Sequence, residues 1–454
     1  MFRYCESKIE NWLKSNKTAL LVTGARQVGK TYSIRETLKR NKTSYFEINF
    51  YDRPDILDSL KGISDINEFI MKLQAYSPNT LIKGESVIFF DEIQTFPELM
   101  TKIKFLVDEG SFKYILSGSL LGIELNNITS FPVGYMDVLK MYPMNLFEVA
   151  IAFGVKKETI SYLHECFTKR VKIDSIIHQK MLNIFYYYLI IGGMPAAVQE
   201  FLNSRNINNV SEIDKNIISQ YKADFSKYEA NDRKLKIIAI YDNIPSQLNK
   251  QNLRFIFTYL NKELKFDRYE NSFLWLKDAG VAYPCYQVDE PCSPLIMSKN
   301  KNFFKLFLND VGLLVCNFPP FVKEKLLNLN QNQDINLGAI FENFVMQELK
   351  SNDIEPYFFK NTKVGEIDFL VESFDHLLAI EVKSGNDYKK HKALNNLINE
   401  YPKIKYESLV LSRFNLETES EVTYLPIYMT GFIGREEEPH NYDVSRFFDT
   451  IKGV

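Results

Sequence analysis

Ala19-Leu-Leu-Val-Thr23 runs directly into Gly24-Ala-Arg-Gln-Val-Gly-Lys-Thr31, and a segment of helical character, Lys30–Lys39, follows. A short apolar run ending at glycine reads as a buried parallel strand. The loop after it has the spacing G-x-x-x-x-G-K-[ST] of a phosphate-binding loop, the P-loop or Walker A motif. The glycines let the backbone wrap tightly, so that N–H groups converge on phosphate oxygens. The next helix adds the positive end of its dipole. Lys30 supplies a mobile charge for the β and γ phosphates, and Thr31 an oxygen for Mg2+. The expected nucleotide-binding set is Gly24, Ala25, Arg26, Gln27, Val28, Gly29, Lys30 and Thr31, with ATP and Mg2+ as ligands.

Working outward, Tyr45–Asn49, Ser86–Phe90 and Lys113–Leu116 read as three further strands, separated by helical segments. Alternation of this kind calls for a parallel sheet with helices on both faces. Asp91 and Glu92 close the strand Ser86–Phe90 in the manner of a Walker B motif. Acids there sit at the carboxyl edge of the sheet, beside the phosphate loop. Asp91 is expected to hold Mg2+ through water, and Glu92 to polarise the attacking water. Ser119 is a candidate sensor of the γ phosphate; the alternative is that Ser117-Gly-Ser119 forms only a turn.

Beyond Met144 the strand signal stops, and helical segments run to Tyr228, broken at Gly192-Gly-Met-Pro195. Three short helical stretches then lead to Gly280-Val-Ala-Tyr-Pro284, with a turn expected at Pro245, the pattern of a winged-helix unit. Asn328–Asn336 reads as a linker. In the last third, Asp368 lies within a strand and Glu381-Val-Lys383 within the next. Side chains alternate along a strand, so Glu381 and Lys383 share a face. A hairpin around Asp375-His376 brings Asp368 onto that face. Two carboxylates then make an oxygen site for Mg2+, with Lys383 near a phosphodiester and Glu342 as a further acid. A surface salt bridge is the alternative reading. Lys389-Lys-His-Lys392 either tracks a phosphate backbone or opens a solvated helix.

The chain has 454 residues, 45% hydrophobic and 25% charged, with a net charge of −2. That balance is globular and excludes collagen-like or disordered classes; the length suggests roughly three domains. The middle third has a small basic surplus and the last third an acidic one, so nucleic acid would meet the middle third more readily. No uninterrupted apolar stretch is long enough to span a membrane, since the best candidate is cut by Gly192, Gly193 and Pro195. The N-terminus carries charges where a secretion signal needs an apolar run. Five cysteines with no CxxC pair fit neither a disulfide framework nor a zinc ribbon, so a reducing, cytoplasmic setting is expected.

Over nearly its whole length the sequence resembles a prokaryotic ATPase family in which an AAA-type core is fused to a C-terminal domain of PD-(D/E)XK nuclease type. The resemblance is carried by GARQVGKT, IFFDEIQTFPELM, ILSGS, FPVGYMDVLKMYPMNLFE, IIGGMPAAV, IPSQL, FLWLKDAGVAY and FKLFLNDVGLL, and in the last third by GAIFENFVMQEL, GEIDFL and IEVKSG. It implies metal and catalytic roles for Asp368, Glu381 and Lys383, with Glu342 as the helical acid. Tyr135 stands where relatives often have a basic residue, which leaves Arg170, Arg233, Arg254 and Arg268 as open alternatives for an arginine finger. The expected architecture is an α/β multidomain chain. It has a P-loop parallel-sheet ATPase core (1–150), a helical lid (151–235), a winged-helix unit and connection (236–325), a C-terminal α/β restriction-endonuclease-like domain (338–435) and a tail (436–454). The expected function is ATP hydrolysis driving a switch or motor on DNA or RNA, working as a homo-oligomer ring. The alternative is an ATP-dependent protein-interaction switch whose nuclease-like domain is inactive.

Overall fold

The computed structural model describes residues 1–15, 17–118, 132–228, 231–248, 270–327 and 337–435. Its first sheet contains β1 (Ala19–Gly24), β2 (Tyr45–Asn49), β3 (Val87–Asp91), β4 (Lys113–Gly118) and β5 (Met136–Met141), in the order β2-β3-β4-β1-β5. Every pair is parallel. Alternate side chains serve opposite faces. Leu20, Val22 and Phe89 enter one core, and Leu21, Ile88 and Phe90 the other. Four of these strands match the sequence reading. The fifth, β5, was not anticipated: it is an edge strand whose Asp137, Val138 and Lys140 are exposed, so it lacks the continuous apolar run of a buried strand.

A second sheet of eight strands has the order β12-β13-β11-β10-β9-β8-β6-β7. Six of its strands come from the last third: β8 (Tyr357–Asn361), β9 (Gly365–Glu372), β10 (Leu377–Val382), β11 (Tyr406–Ser412), β12 (Glu417–Glu419) and β13 (Val422–Pro426). The other two, β6 (Ala282–Val288) and β7 (Lys299–Leu308), precede the linker segment. They form an antiparallel pair, and β6 continues the sheet by pairing parallel with β8. The strand-like residues assigned in sequence to a winged-helix unit therefore extend the C-terminal sheet. The helix Asn231–Leu248 runs through Pro245 rather than turning there. Proline in the last turn of a helix removes one hydrogen bond without ending it. Residues 328–336, the expected linker, and the tail 436–454 lie outside the described residues, as does the predicted helical stretch 253–259.

Helix ends follow the sequence. Asp65, Asn145, Asp174 and Asp310 each accept a hydrogen bond from a first-turn amide, and Asn145 and Glu148 form a reciprocal capping box. The break at Gly192-Gly-Met-Pro195 separates two helices, Ser175–Ile191 and Pro195–Ser204. Among the described residues no single helix is long and apolar enough to cross a membrane. The glycines are required by close approach: a Cβ on Gly193 would lie 1.9 Å from the Met144 carbonyl oxygen, and one on Gly192 2.0 Å from Asp310 Oδ1.

Asp310 is the centre of this junction. Its Oδ2 accepts from the Gly193 amide at 2.6 Å and from Gln347 Nε2 at 3.2 Å. Gln347 also donates to Tyr188 Oη at 2.8 Å, and Tyr188 donates to the Met144 carbonyl at 2.5 Å. The next residue, Glu348, accepts from the Leu146 amide at 2.9 Å. Helix Gly338–Ser351 is thereby tied to the segment that leaves β5. Burial raises the Asp310 carboxyl to about 6 and the Glu348 carboxyl to about 8. The folded chain keeps protons there that the unfolded chain releases near pH ~4. The corresponding stability is complete below that pH and is lost as pH rises through about 8. The melting temperature should accordingly fall between about pH 4 and about pH 8, and Glu348→Gln should flatten that fall. Thermal denaturation across this range, wild type against variant, checks it.

Candidate functional site

The phosphate loop is built by backbone conformations that few residues tolerate. Gly24 has φ 149, and a Cβ there would sit 2.2 Å from the Met141 carbonyl oxygen of β5. Gln27 and Gly29 adopt left-handed φ values of 64 and 95, and the helix Lys30–Arg40 starts immediately after them. Lys30 Nζ donates back to the carbonyls of Gly24 at 3.0 Å and Ala25 at 2.9 Å. Desolvation in the loop lowers its ammonium to about 8, against the opposing pull of Glu92 and Asp91.

Asp91 ends β3 beneath the loop. Thr31 Oγ1 lies 3.2 Å from both of its carboxylate oxygens. Asn49 Nδ2, at the end of neighbouring β2, donates to Oδ2 at 3.1 Å, and Ser117 of β4 donates to Oδ1. Thr31 and Asp91 are thus adjacent hard-oxygen donors, the chemistry Mg2+ takes when it arrives with a triphosphate. Asn49 was not singled out in sequence, and Ser117 was read at most as a turn residue. Both are strand residues that orient the acid. A polar residue at the carboxyl end of a strand flanking β3 is the signal that would have found them. Glu92 adopts φ 56 and contacts Gln94 through its carboxylate, with Thr95 Oγ1 capping its carbonyl at 2.8 Å. Ser119, the expected sensor, lies outside the described residues.

The loop is also gripped from outside. Arg26 pairs with Asp224 of helix Ile207–Tyr228 at 2.7 Å, and Tyr221 Oη of that helix donates to the Arg26 carbonyl at 3.1 Å. Gln27 contacts Gln220. Arg3, buried to 5% exposure, donates to the Val28 carbonyl at 2.8 Å, to the Tyr142 carbonyl at 2.7 Å and to Glu148 at 3.2 Å. Arg3 carries no motif, and its role appears only when residues 3, 28, 142 and 148 meet. Of the arginine-finger alternatives, Arg170 pairs with Glu407 of β11. The Arg233 side chain, Arg254 and Arg268 are outside the described residues. Tyr135 lies under Lys104 Nζ, 5.4 Å from its ring centroid.

The second predicted constellation is assembled. β9 and β10 form the expected antiparallel hairpin, and the Val382 amide donates to Asp368 Oδ2 at 2.8 Å. Lys383 pairs with Glu381 at 2.6 Å. Glu342, on helix Gly338–Ser351, reaches the same place. Lys305 of β7, which sequence reading passed over, lies among them: its Nζ is 2.8 Å from Glu366, 3.2 Å from Glu342 and 4.0 Å from Asp368. Burial, then the neighbouring Glu342, raises the Asp368 carboxyl to about 8. Burial also raises Glu342. Lys305 is raised too, because Glu342, Glu366 and Asp368 outweigh a desolvation that works against its charge. Among the described residues, no group of three or more His, Cys, Asp or Glu side chains is placed to hold a metal ion. The expected ligands Glu342, Asp368 and Glu381 do not fit a divalent ion as they stand, because the Lys305 ammonium lies against Glu342 and Asp368 and the Lys383 ammonium against Glu381. In the downstream basic cluster, Lys389 pairs with Glu417 and Glu419, Lys390 with Asp387, and His391 Nε2 lies 2.8 Å from Tyr424 Oη.

Residues 16–150 match the family model of an AAA domain. Residues 182–321 and 337–429 match two domains of unknown function, DUF8612 and DUF4143. None of the curated proteins matches the chain. Among solved structures, the chain is similar to a Walker-type ATPase, PABY2304, of Pyrococcus abyssi. The identity is 15% and the TM-score 0.43, covering 69% of this chain and 95% of that one. It is also similar to two mutants of RuvB from Thermotoga maritima, each at 13% identity and TM-score 0.28. They cover 61% and 62% of this chain and 87% and 89% of their own.

Replacing the buried guanidinium tests the grip on the loop. Arg3→Met should cost ~3–5 kcal/mol of stability, since Glu148 is left buried and unpaired. Adding Glu148→Gln should recover part of it. Urea denaturation of the two variants checks this, and wild-type stability in Arg3→Met would refute it.

Proposed function

Taking residues 16–150 as a P-loop ATPase core of the AAA kind, we propose that the chain hydrolyses ATP and uses the cycle as a conformational switch on a macromolecular partner. The observation that carries this reading is the contact of Thr31, on the helix after the loop, with an Asp91 held in place by Asn49 and Ser117. Lys30 would leave the loop carbonyls for the β and γ phosphates. Thr31 and Asp91 would hold Mg2+, which neutralises phosphate charge when bound. Glu92 would polarise the attacking water, and Ser119 would sense the γ phosphate. Arg26 and Gln27 contact helix Ile207–Tyr228 directly, so a change in loop conformation reaches that helix without an intermediary.

Nucleic acid is the proposed partner, on the strength of the family resemblance and the basic surplus of the middle third. A protein partner is the second reading. It is favoured by the pairing of Lys389 and Lys390 with carboxylates, which removes the cationic track a phosphate backbone would follow. Salt-dependent binding to single-stranded, duplex and branched DNA separates the two: binding that weakens steeply with salt supports nucleic acid, and its absence supports protein.

Lys30→Ala should abolish ATP binding in calorimetry. Glu92→Gln should keep binding and lower turnover by ~10²–10⁴-fold. ATP turnover retained in Lys30→Ala would overturn the assignment.

A further inference from the structure

The carboxylates of the eight-stranded sheet arrive from three elements: Glu342 from helix Gly338–Ser351, Glu366 and Asp368 from β9, and Glu381 from β10. Three lysines meet them. Lys305 contacts Glu342, Glu366 and Asp368; Lys360 pairs with Glu366 at 2.7 Å; Lys383 pairs with Glu381 at 2.6 Å. Lys360 and Lys383 stand at the rim, with side chains 40% and 30% exposed, but the Lys305 side chain is 1% exposed. A lysine is almost never buried this far unless its charge is matched.

We propose that this cluster carries its own cation: the Lys305 ammonium stands in for a divalent metal, and the wild-type chain holds no metal there. Three physical points support it. The first is charge. Four carboxylates face three ammonium groups, so Lys305, Lys360 and Lys383 already offset all but one of the negative charges. A divalent ion would find little net charge to neutralise. The second is displacement. Admitting Mg2+ means driving out an ammonium that would then be buried and unpaired, which is strongly destabilising. Its tether gives it an effective concentration that a free ion at cellular levels does not match. The third is geometry. Mg2+ requires near-octahedral oxygens at ~2.0–2.1 Å and keeps several of its waters. Here an ammonium nitrogen lies 3.2 Å from Glu342 and 4.0 Å from Asp368, and another 2.6 Å from Glu381, distances of ion pairs rather than of metal coordination. The lysine comes from β7, ahead of the linker, so its charge also fastens the β6–β7 pair to the last third. The proposal concerns this sheet alone, and it stands or falls separately from nucleotide hydrolysis at the phosphate loop.

Titration of Mn2+ against the nucleotide-free full-length chain, with free Mn2+ read by electron paramagnetic resonance, tests it. Wild type and Asp368→Asn should bind Mn2+ identically. Lys305→Ala should gain a Mn2+ site that Asp368→Asn, added to it, removes. Lys305→Met, which keeps the apolar stem, serves if the alanine variant does not fold; circular dichroism reports folding for each. A wild-type Mn2+ site abolished by Asp368→Asn would overturn the proposal, as would a folded lysine variant with no gain. If neither lysine variant folds, the wild-type comparison with Asp368→Asn decides alone.

Discussion

A guanidinium removed from water must have its charge and its donors satisfied, and Arg3 meets that demand with partners that are otherwise unconnected. One nitrogen holds the Val28 carbonyl of the phosphate loop, another the Tyr142 carbonyl after β5, and the third Glu148. Glu148 in turn caps its own helix through Asn145. From that helix the polar contacts continue through Met144 and Tyr188 to Gln347, and through Leu146 to Glu348. The path from phosphate loop to C-terminal helix is therefore made of buried hydrogen bonds. Breaking any of them leaves a polar group unsatisfied in the interior, at ~1–3 kcal/mol. Such a network resists gradual deformation and favours discrete arrangements.

The phosphate-loop acid and the carboxylate cluster of the C-terminal sheet are buried centres whose partners lead to opposite chemistry. At the end of β3, Asp91 is oriented by hydroxyl and amide donors, with Lys30 close by on a flexible stem and bonded only to carbonyls. Neutral donors leave the carboxylate able to share a cation, and the carbonyl-bound lysine can exchange partners at modest cost. In the C-terminal sheet, Lys305 is sealed among carboxylates and raised further toward its charged form. Lys30 is lowered by desolvation because its immediate contacts are carbonyls, and Lys305 is raised because its contacts are carboxylates. Residue type is the same in both; the first contact shell sets the direction.

Sheet pairing also redraws the boundary between the middle and last thirds. β6 and β7 precede the linker segment, yet β6 pairs with β8 beyond it. Hydrogen-bonded strands and the Lys305 contacts join two stretches that composition separates. Arg26 and Gln27 contact helix Ile207–Tyr228 on one side of this body. The Asp310 junction reinforces this, since its carboxylate touches both Gly193 and Gln347.

Local sequence determined the phosphate loop, the strand-end acids, the β9–β10 hairpin and most helices, because those features rest on spacing, periodicity and backbone preference within a few residues. It placed Asp368, Glu381 and Lys383 together for the same reason: alternation along two strands joined by a short turn. Tertiary structure alone decided the parts that depend on distant partners. Arg3 meets residues 28, 142 and 148, and Lys305 meets residues 342, 366 and 368. Asn49 and Ser117 acquire meaning only when β2 and β4 flank β3. β5 is stabilised as a strand by pairing with β1 rather than by apolar content. Pattern reading measures what a residue prefers next to its neighbours in sequence. Whether a buried charge is a metal ligand, a structural clamp or a counter-ion is fixed by which opposite charge the folded chain brings within a few ångströms, and no local pattern carries that information.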